Sequence, residues 1–196
     1  MMALPTSLQN TEKEGNHKGV PLQTPSQTVG PYFAYGLTAA QYGYDFDQIA
    51  NDVLVADDVP GDRIYIVGRV FDGKNEIIPD AMIEVWQPDI KAFGRIGTGT
   101  DPKNRFHFET VKPQSLEGQA PHLAVIVLMR GLLVHAYTRI YFSDEAATNA
   151  QDAVLNSVPA ERRDTLIAQK QIVNGRTEYH FDIHMQGELE TVFFDV

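Results

Sequence analysis

Apolar and polar positions alternate with period two along much of this chain, the pattern of strands covered on one or both faces. It is clearest from Asp62 to Gln87, D-R-I-Y-I-V-G-R-V-F-D-G-K-N-E-I-I-P-D-A-M-I-E-V-W-Q. Ile64, Ile66 and Val70 fall on one face, and Tyr65, Val67 and Phe71 on the other. Both faces are apolar, so this strand is expected to be covered on both sides. Asp72-Gly73-Lys74-Asn75 supplies turn chemistry, and a second strand is expected from Ala81 to Trp86. Together these predict a hairpin at the centre of a β-sandwich.

Further strands are expected at Phe93–Thr100 and Arg105–Val111, joined by the turn Asp101-Pro102-Lys103-Asn104. In the second of these, Phe106, Phe108 and Thr110 form the core face. The run A-V-I-V-L-M within Pro121–Met129 reads as a buried strand, Arg130-Gly131 turns the chain, and Leu133–Phe142 alternates again. Asn174-Gly175 is a strong hairpin signal, linking Gln171–Val173 to Tyr179–Gln186. A last strand is expected at Glu190–Val196. Helical stretches are expected at Thr38–Val55, interrupted by Gly43, at a start formed by Ser143-Asp144-Glu145, and at Pro159–Lys170. The fold class is mainly β: a two-sheet β-sandwich of about eight strands with a few short helices.

Residues 1–23 hold few large apolar groups and read as a flexible arm, leaving 24–196 as a single domain. The segment Thr24–Phe33, T-P-S-Q-T-V-G-P-Y-F, carries two prolines and a glycine that forbid a regular helix or central strand. Its Val29, Tyr32 and Phe33 either pack onto their own domain or are presented to a ligand or a neighbour.

The length of 196 residues allows a sizeable core. Sixteen Lys and Arg against 26 Asp and Glu give a formal charge of −10, which argues against a nucleic-acid partner. An anionic small ligand would need a locally placed cation. The chain has no cysteine, so disulfides and thiolate metal sites are excluded. No apolar run approaches the roughly 20 residues of a membrane span. A basic start and apolar centre are also missing from the N-terminus, and the expected location is the cytoplasm.

Three groups of residues could carry chemistry. His180, Asp182 and His184 share a face of one strand; two imidazoles and a carboxylate suit non-haem iron or zinc, and equally suit a solvated sheet face. His135, Tyr137, Arg139 and Tyr141 share a face of another strand. That face could form an anion or metal site, or a polar surface covered by helices. Arg130 ends an apolar strand beside a glycine, so its guanidinium emerges at the sandwich rim, as a surface residue or as a bidentate partner for a carboxylate. There is no G-x-S-x-G elbow, and Gly94, Gly97 and Gly99 are spaced wrongly for a phosphate loop.

Several segments, in order, resemble the intradiol ring-cleaving dioxygenases. They are T-P-S-Q-T-V-G-P-Y-F at 24–33, G-R-V-F-D-G at 68–73, I-E-V-W-Q at 83–87, F-G-R at 93–95 and T-V-K-P at 110–113. A-P-H at 120–122, R-G at 130–131, T-R-I-Y-F at 138–142 and the terminal F-F-D-V complete the set. The resemblance implies a β-sandwich and a reaction in which O2 opens a catechol ring at ferric iron. The family's iron-binding chain supplies two tyrosines and an H-x-H pair. Here Pro88–Ala92 and Gln114-Ser115-Leu116 hold no tyrosine, and the pair reads His122-Leu123-Ala124. One ligand of four remains, so the resemblance is to the non-metal, alpha-type chain. It implies no metal in this chain, Fe(3+) in a partner beta chain, and a carboxylated catechol such as protocatechuate as substrate. It further implies that Thr28, Gly30, Pro31 and Tyr32 line the partner's substrate pocket, that Arg130 reaches the same pocket in a catalytic role, and that the 88–92 loop is shortened.

Overall fold

The structure, a computed structural model, describes Gly30 and residues 33–195. Ten strands are present among them: β1 (Arg63–Gly68), β2 (Val70–Phe71), β3 (Met82–Gln87), β4 (Ala92–Gly97), β5 (Phe106–Val111), β6 (His122–Leu128), β7 (Ala136–Phe142), β8 (Ile167–Val173), β9 (Arg176–His180) and β10 (Ile183–His184). Eight of them hydrogen-bond in the continuous order β4-β3-β6-β7-β8-β9-β1-β5, and β10 pairs with β2. The order folds over at β8. Ile167 and Ala168 pair with β7, while Gln169 to Val173 pair with β9. The result is a two-layer sandwich that closes towards a barrel. Ile64, Ile83, Phe106, Phe108, Leu123, Val125 and Ile140, from both layers, fill the core between them.

The period-two pattern locates most of the strands, but misses the start of β8, overstates the last segment and pairs some strands wrongly. β1 and β3 are not a hairpin. β1 lies between β5 and β9, and β3 between β4 and β6, each in a different layer. The chain is diverted by β2, whose Val70 and Phe71 pair with β10 instead. Thr38–Val55 is not a helix. A helix at Phe33–Leu37 is followed by a 3-10 turn, Ala39–Tyr42, which Gly43 ends in the left-handed region (φ 75°). Pro159–Lys170 is a 3-10 turn, Ala160–Leu166, that gives way to β8, because Ile167 and Ala168 are taken by the edge of β7. Ser143 caps no helix; its hydroxyl accepts the Lys170 N–H at 3.0 Å. Short helices instead begin at Ala146 and at Ala153, the second capped by Asp152. Asn174 and Gly175 do form the predicted tight turn, with φ of 52° and 80°. In the expected last strand, the described residues form no strand but an isolated bridge, Phe194 to Tyr137.

The two ends of the eight-strand order, β4 and β5, approach each other, and residues 51–54 strap the seam. Arg95 N–H donates to the Asn51 carbonyl (2.9 Å), Glu109 N–H to Asp52 (2.8 Å), and Leu54 N–H to Glu109 (2.9 Å). Leu54 covers Gly94, where any side chain would collide with it and with Phe108. Asp52 Oδ2 holds His107 Nε2 at 2.7 Å. That hydrogen bond raises the His107 pKa above its ordinary 6.5 against partial burial, with Asp101 assisting and Arg105 opposing. The same bond lowers the Asp52 pKa.

Two measurements check this frame. A Cβ at Gly68 would overlap the Phe181 backbone carbonyl, which cannot swing away without breaking the β1–β9 register. Gly68→Ala is therefore expected to destabilise by about 3 kcal/mol or more. Gly36→Ala, in open space within a helical turn, is expected to be neutral or slightly stabilising in the same urea titration. The strap pair is intact between the lowered Asp52 pKa and the raised His107 pKa; its contribution is lost as pH falls through the first or rises through the second. Imidazole NMR titration should place His107 above 6.5, and Asp52→Asn should bring it back down.

Candidate functional site

Arg130 lies just past the end of one core strand. β6 ends at Leu128, and Gly131, with φ of 92°, turns the chain just past Arg130. The Arg130 guanidinium is more than half exposed and pairs through Nε with Asp80 Oδ2, which immediately precedes the buried start of the β3 segment. Asp80 also bears on Tyr42 of the 3-10 turn. Burial first, then Tyr35 and Asp80, push the Tyr42 pKa up. The Tyr42 hydroxyl sits over Gly97 and Gly99, so these glycines make room for a ring. Tyr35, from the Phe33–Leu37 helix, meets Tyr42 edge-on at 4.5 Å. Gly30 lies at the base of that helix, is exposed, and accepts the Phe33 N–H at 3.3 Å. Asp80 thus pairs with Arg130 and lies near enough for its charge to bear on Tyr42, which packs on Tyr35 of the helix that follows Gly30. Thr28, Pro31 and Tyr32 lie outside the described residues. The sequence reading missed Asp80: fifty positions separate it from Arg130, and no spacing rule connects them.

His122 opens β6 on the other side of the core. Its Nδ1 is 2.8 Å from the Ala120 carbonyl, and desolvation pulls its pKa down. Around it, Tyr141 O–H donates to Asp152 Oδ1 (3.1 Å), and Asp152 accepts the Ala120 and Leu155 N–H groups (2.8 Å each). The Arg139 guanidinium donates to Gln119 Oε1 at 2.7 Å. Burial pushes the Tyr141 phenol up to about 12, so it stays protonated. Ferric iron needs anionic phenolates and free imidazole nitrogens. Here the phenol is a committed donor, one imidazole nitrogen faces a carbonyl, and a guanidinium adds positive charge beside it. This donor set does not fit ferric iron. The shared face of β7 is therefore divided among different uses. Tyr141 is buried, Tyr137 packs on Phe194 at 6.2 Å, Arg139 binds Gln119, and His135 is exposed.

His180, Asp182 and His184 line one cavity of about 290 Å3, as their alternation predicts. They do not converge on a metal. Strand β9 ends at His180, which turns to Glu178 (2.9 Å). Asp182 accepts the Arg69 N–H (2.9 Å), and the His184 ring stacks on Phe71 at 4.9 Å. Among the described residues, no group of three or more His, Asp or Glu could hold a metal ion. The metal-site alternative for these three residues is therefore not supported by their geometry: the strand breaks between its pairings with β1 and β2, and each side chain is engaged separately. A second cavity, about 390 Å3, lies beside the strap and is lined by Gln41, Arg95, Thr100 and His107. Its polar groups are internally committed, Gln41 to Gly97 and Arg95 to Glu84. No helix among the described residues is long and apolar enough to cross a membrane.

Among solved structures, the chain resembles an intradiol ring-cleavage dioxygenase from Tetranychus urticae. The TM-score is 0.58 at 16% identity, covering 88% of this chain and 100% of that one. It also resembles the dioxygenase domain of a carbohydrate-binding fusion from Streptomyces sp. SirexAA-E, with a TM-score of 0.57 at 21% identity, covering 84% and 96%. At these identities the likeness establishes the fold. No family model matches the chain. Curated sequences are far nearer. The protocatechuate 3,4-dioxygenase alpha chain of Burkholderia cepacia is 50% identical over 192 residues, covering 89% of this chain and 98% of its own length. The alpha chain of the same name from Pseudomonas putida is 40% identical, covering 88% and 96%. With an intradiol fold, a His122 site unsuited to iron and identity of this order over nearly the whole of both relatives, the chain belongs to the family of protocatechuate 3,4-dioxygenase alpha chains.

Proposed function

We propose that this chain is the non-iron subunit of an intradiol dioxygenase that cleaves protocatechuate with O2 to 3-carboxy-cis,cis-muconate, completing the active site of an iron-bearing beta chain in the cytoplasm. The near-full-length identity to alpha chains carries this reading. Iron held by the partner supplies the redox chemistry; this chain supplies walls and charge. In this reading the domain spans 24–196 behind the arm 1–23, and Thr28, Gly30, Pro31 and Tyr32 line the substrate pocket across the interface.

Arg130 is the cation of that pocket. A protein of formal charge −10 repels an aromatic acid, and a rim guanidinium offsets the repulsion locally. Its five N–H donors can serve Asp80 and a substrate carboxylate together. In a partly dry site the same charge stabilises negative charge that builds on the substrate as the ring opens.

Iron analysis of the purified single chain is expected to find no bound metal and no tyrosinate-to-iron colour. Stoichiometric iron would overturn the assignment. In the complex reconstituted with the iron-bearing chain, Arg130→Ala is expected to lower kcat at least tenfold, about 1.4 kcal/mol in the barrier. Arg130→Lys should fall between, keeping charge without the planar fork. Iron content and assembly should be unchanged. Wild-type kinetics at full iron occupancy would make Arg130 a surface residue only.

A further inference from the structure

Between Lys18 and Arg63 the chain contains no Lys, Arg or His, and every charged residue there is an aspartate: Asp45, Asp47, Asp52, Asp57, Asp58 and Asp62. Over the same stretch large apolar side chains face outwards. Ile49 is 86% exposed, Phe46 65% and Tyr44 50%, with Tyr35, Leu37 and Val53 also on the surface. The rings form a continuous row: Tyr35 meets Tyr44 edge-on at 6.1 Å, and Tyr44 stacks on Phe46 at 6.1 Å. Asp45, Asp47, Asp57 and Asp58 form no ion pair within the described residues, whereas Asp52 is used internally by His107.

Clustered exposed aromatics framed by charge are the composition of an interface, not of an ordinary surface. The row is also held in place at both ends. Tyr35 is anchored by Tyr42, and the segment after Phe46 runs into the strap, where Asn51, Asp52 and Leu54 are bonded to β4 and β5. A surface fixed before binding loses little freedom when a partner docks.

We propose that this acidic-aromatic strip, Tyr35 to Val53, is the docking surface for the iron-bearing subunit, and that the partner meets it with apolar pockets framed by Lys or Arg. The proposal rests on the subunit reading above. A second copy of this chain fits badly, because pairing two strips would set aspartates against aspartates without a basic residue in either strip. A basic frame on the partner satisfies both the charge and the rings.

The test uses the full chain and the iron-bearing chain, with affinity measured at low and moderate salt. Phe46→Ala/Ile49→Ala and Asp45→Lys/Asp47→Lys are each expected to weaken association at least tenfold, with wild-type thermal unfolding. The effect of the charge variant should shrink as salt rises. If the wild-type chains associate and both variants associate equally well, the surface is wrong while the subunit reading stands. If the wild-type chains do not associate, the subunit reading falls and takes this inference with it. Sedimentation of the chain alone supplies a further check: a dimer abolished by the same variants would make the occupant a second copy. Increased dye binding after removal of residues 1–23, abolished by Phe46→Ala/Ile49→Ala, would make it the arm. Either result overturns the proposal.

Discussion

Unpaired sheet edges are the constraint on which this structure depends. An open strand order ends in two rows of N–H and C=O groups that must be covered, paired or exposed to intruding strands. Here the two ends, β4 and β5, curl towards one another but do not pair as strands. The strap 51–54 lies between them and takes backbone hydrogen bonds from both. Its position follows from that requirement, and so does its outward face. Once Leu54 is turned inwards over Gly94 and Asp52 towards His107, Val53 has to point to solvent. The exposed aromatics that precede the strap are presented from a fixed base because the seam needs closing.

At the fold-over, a charged cluster serves the same end. Lys112, at the end of β5, reaches Asp144 (2.9 Å), Glu145 (3.3 Å) and the Tyr179 hydroxyl (2.9 Å), with its ammonium over the Phe142 and Tyr179 rings. Lys170 of β8 shares Asp144 at 2.9 Å. Burial opposes the charge on Asp144, but Lys112, Lys170 and Tyr179 together hold its pKa well below the usual carboxylate range. This ties β5, β7, β8 and β9 where the order crosses from one layer to the other. A nearly buried ammonium is tolerated because carboxylates and aromatic faces replace its water.

Strand identity was legible because burial on a pleat imposes period two. The core face of β5 is as its alternation predicts, whereas β6, whose apolar run reads as buried throughout, is only half-buried at Ala124, Ile126 and Leu128. Pairing was not legible, since period two says nothing about which edge meets which. β1 and β3 therefore looked like a hairpin, although β2 leaves for β10 between them. The helix expected at Pro159–Lys170 failed for the same reason: tertiary demand from β7 and β9 outweighed local propensity. At the rim, Arg130 could be placed from its glycine and strand end, but Asp80, far off in sequence, could not. The triplet His180, Asp182, His184 shows the limit of face arguments. Sharing a face put these residues on one cavity without turning them towards one point.

The His122 region shows how the same fold stays stable with a donor set unsuited to iron. Removing ligands from a buried centre would leave stranded polar groups, each costing about 1–3 kcal/mol. Here the polar groups around His122 are mostly paired with one another, although Arg139 Nε is buried without a hydrogen-bond partner. Asp152 caps a helix while accepting from Tyr141 and from the Ala120 N–H, Ala120 also faces His122 through its carbonyl, and Gln119 takes the Arg139 guanidinium. The network joins β6, β7 and the Ala153–Ser157 helix, with the Arg139 guanidinium as its cation. Arg130, paired with Asp80, and the row of exposed rings lie apart from this network, at the surface.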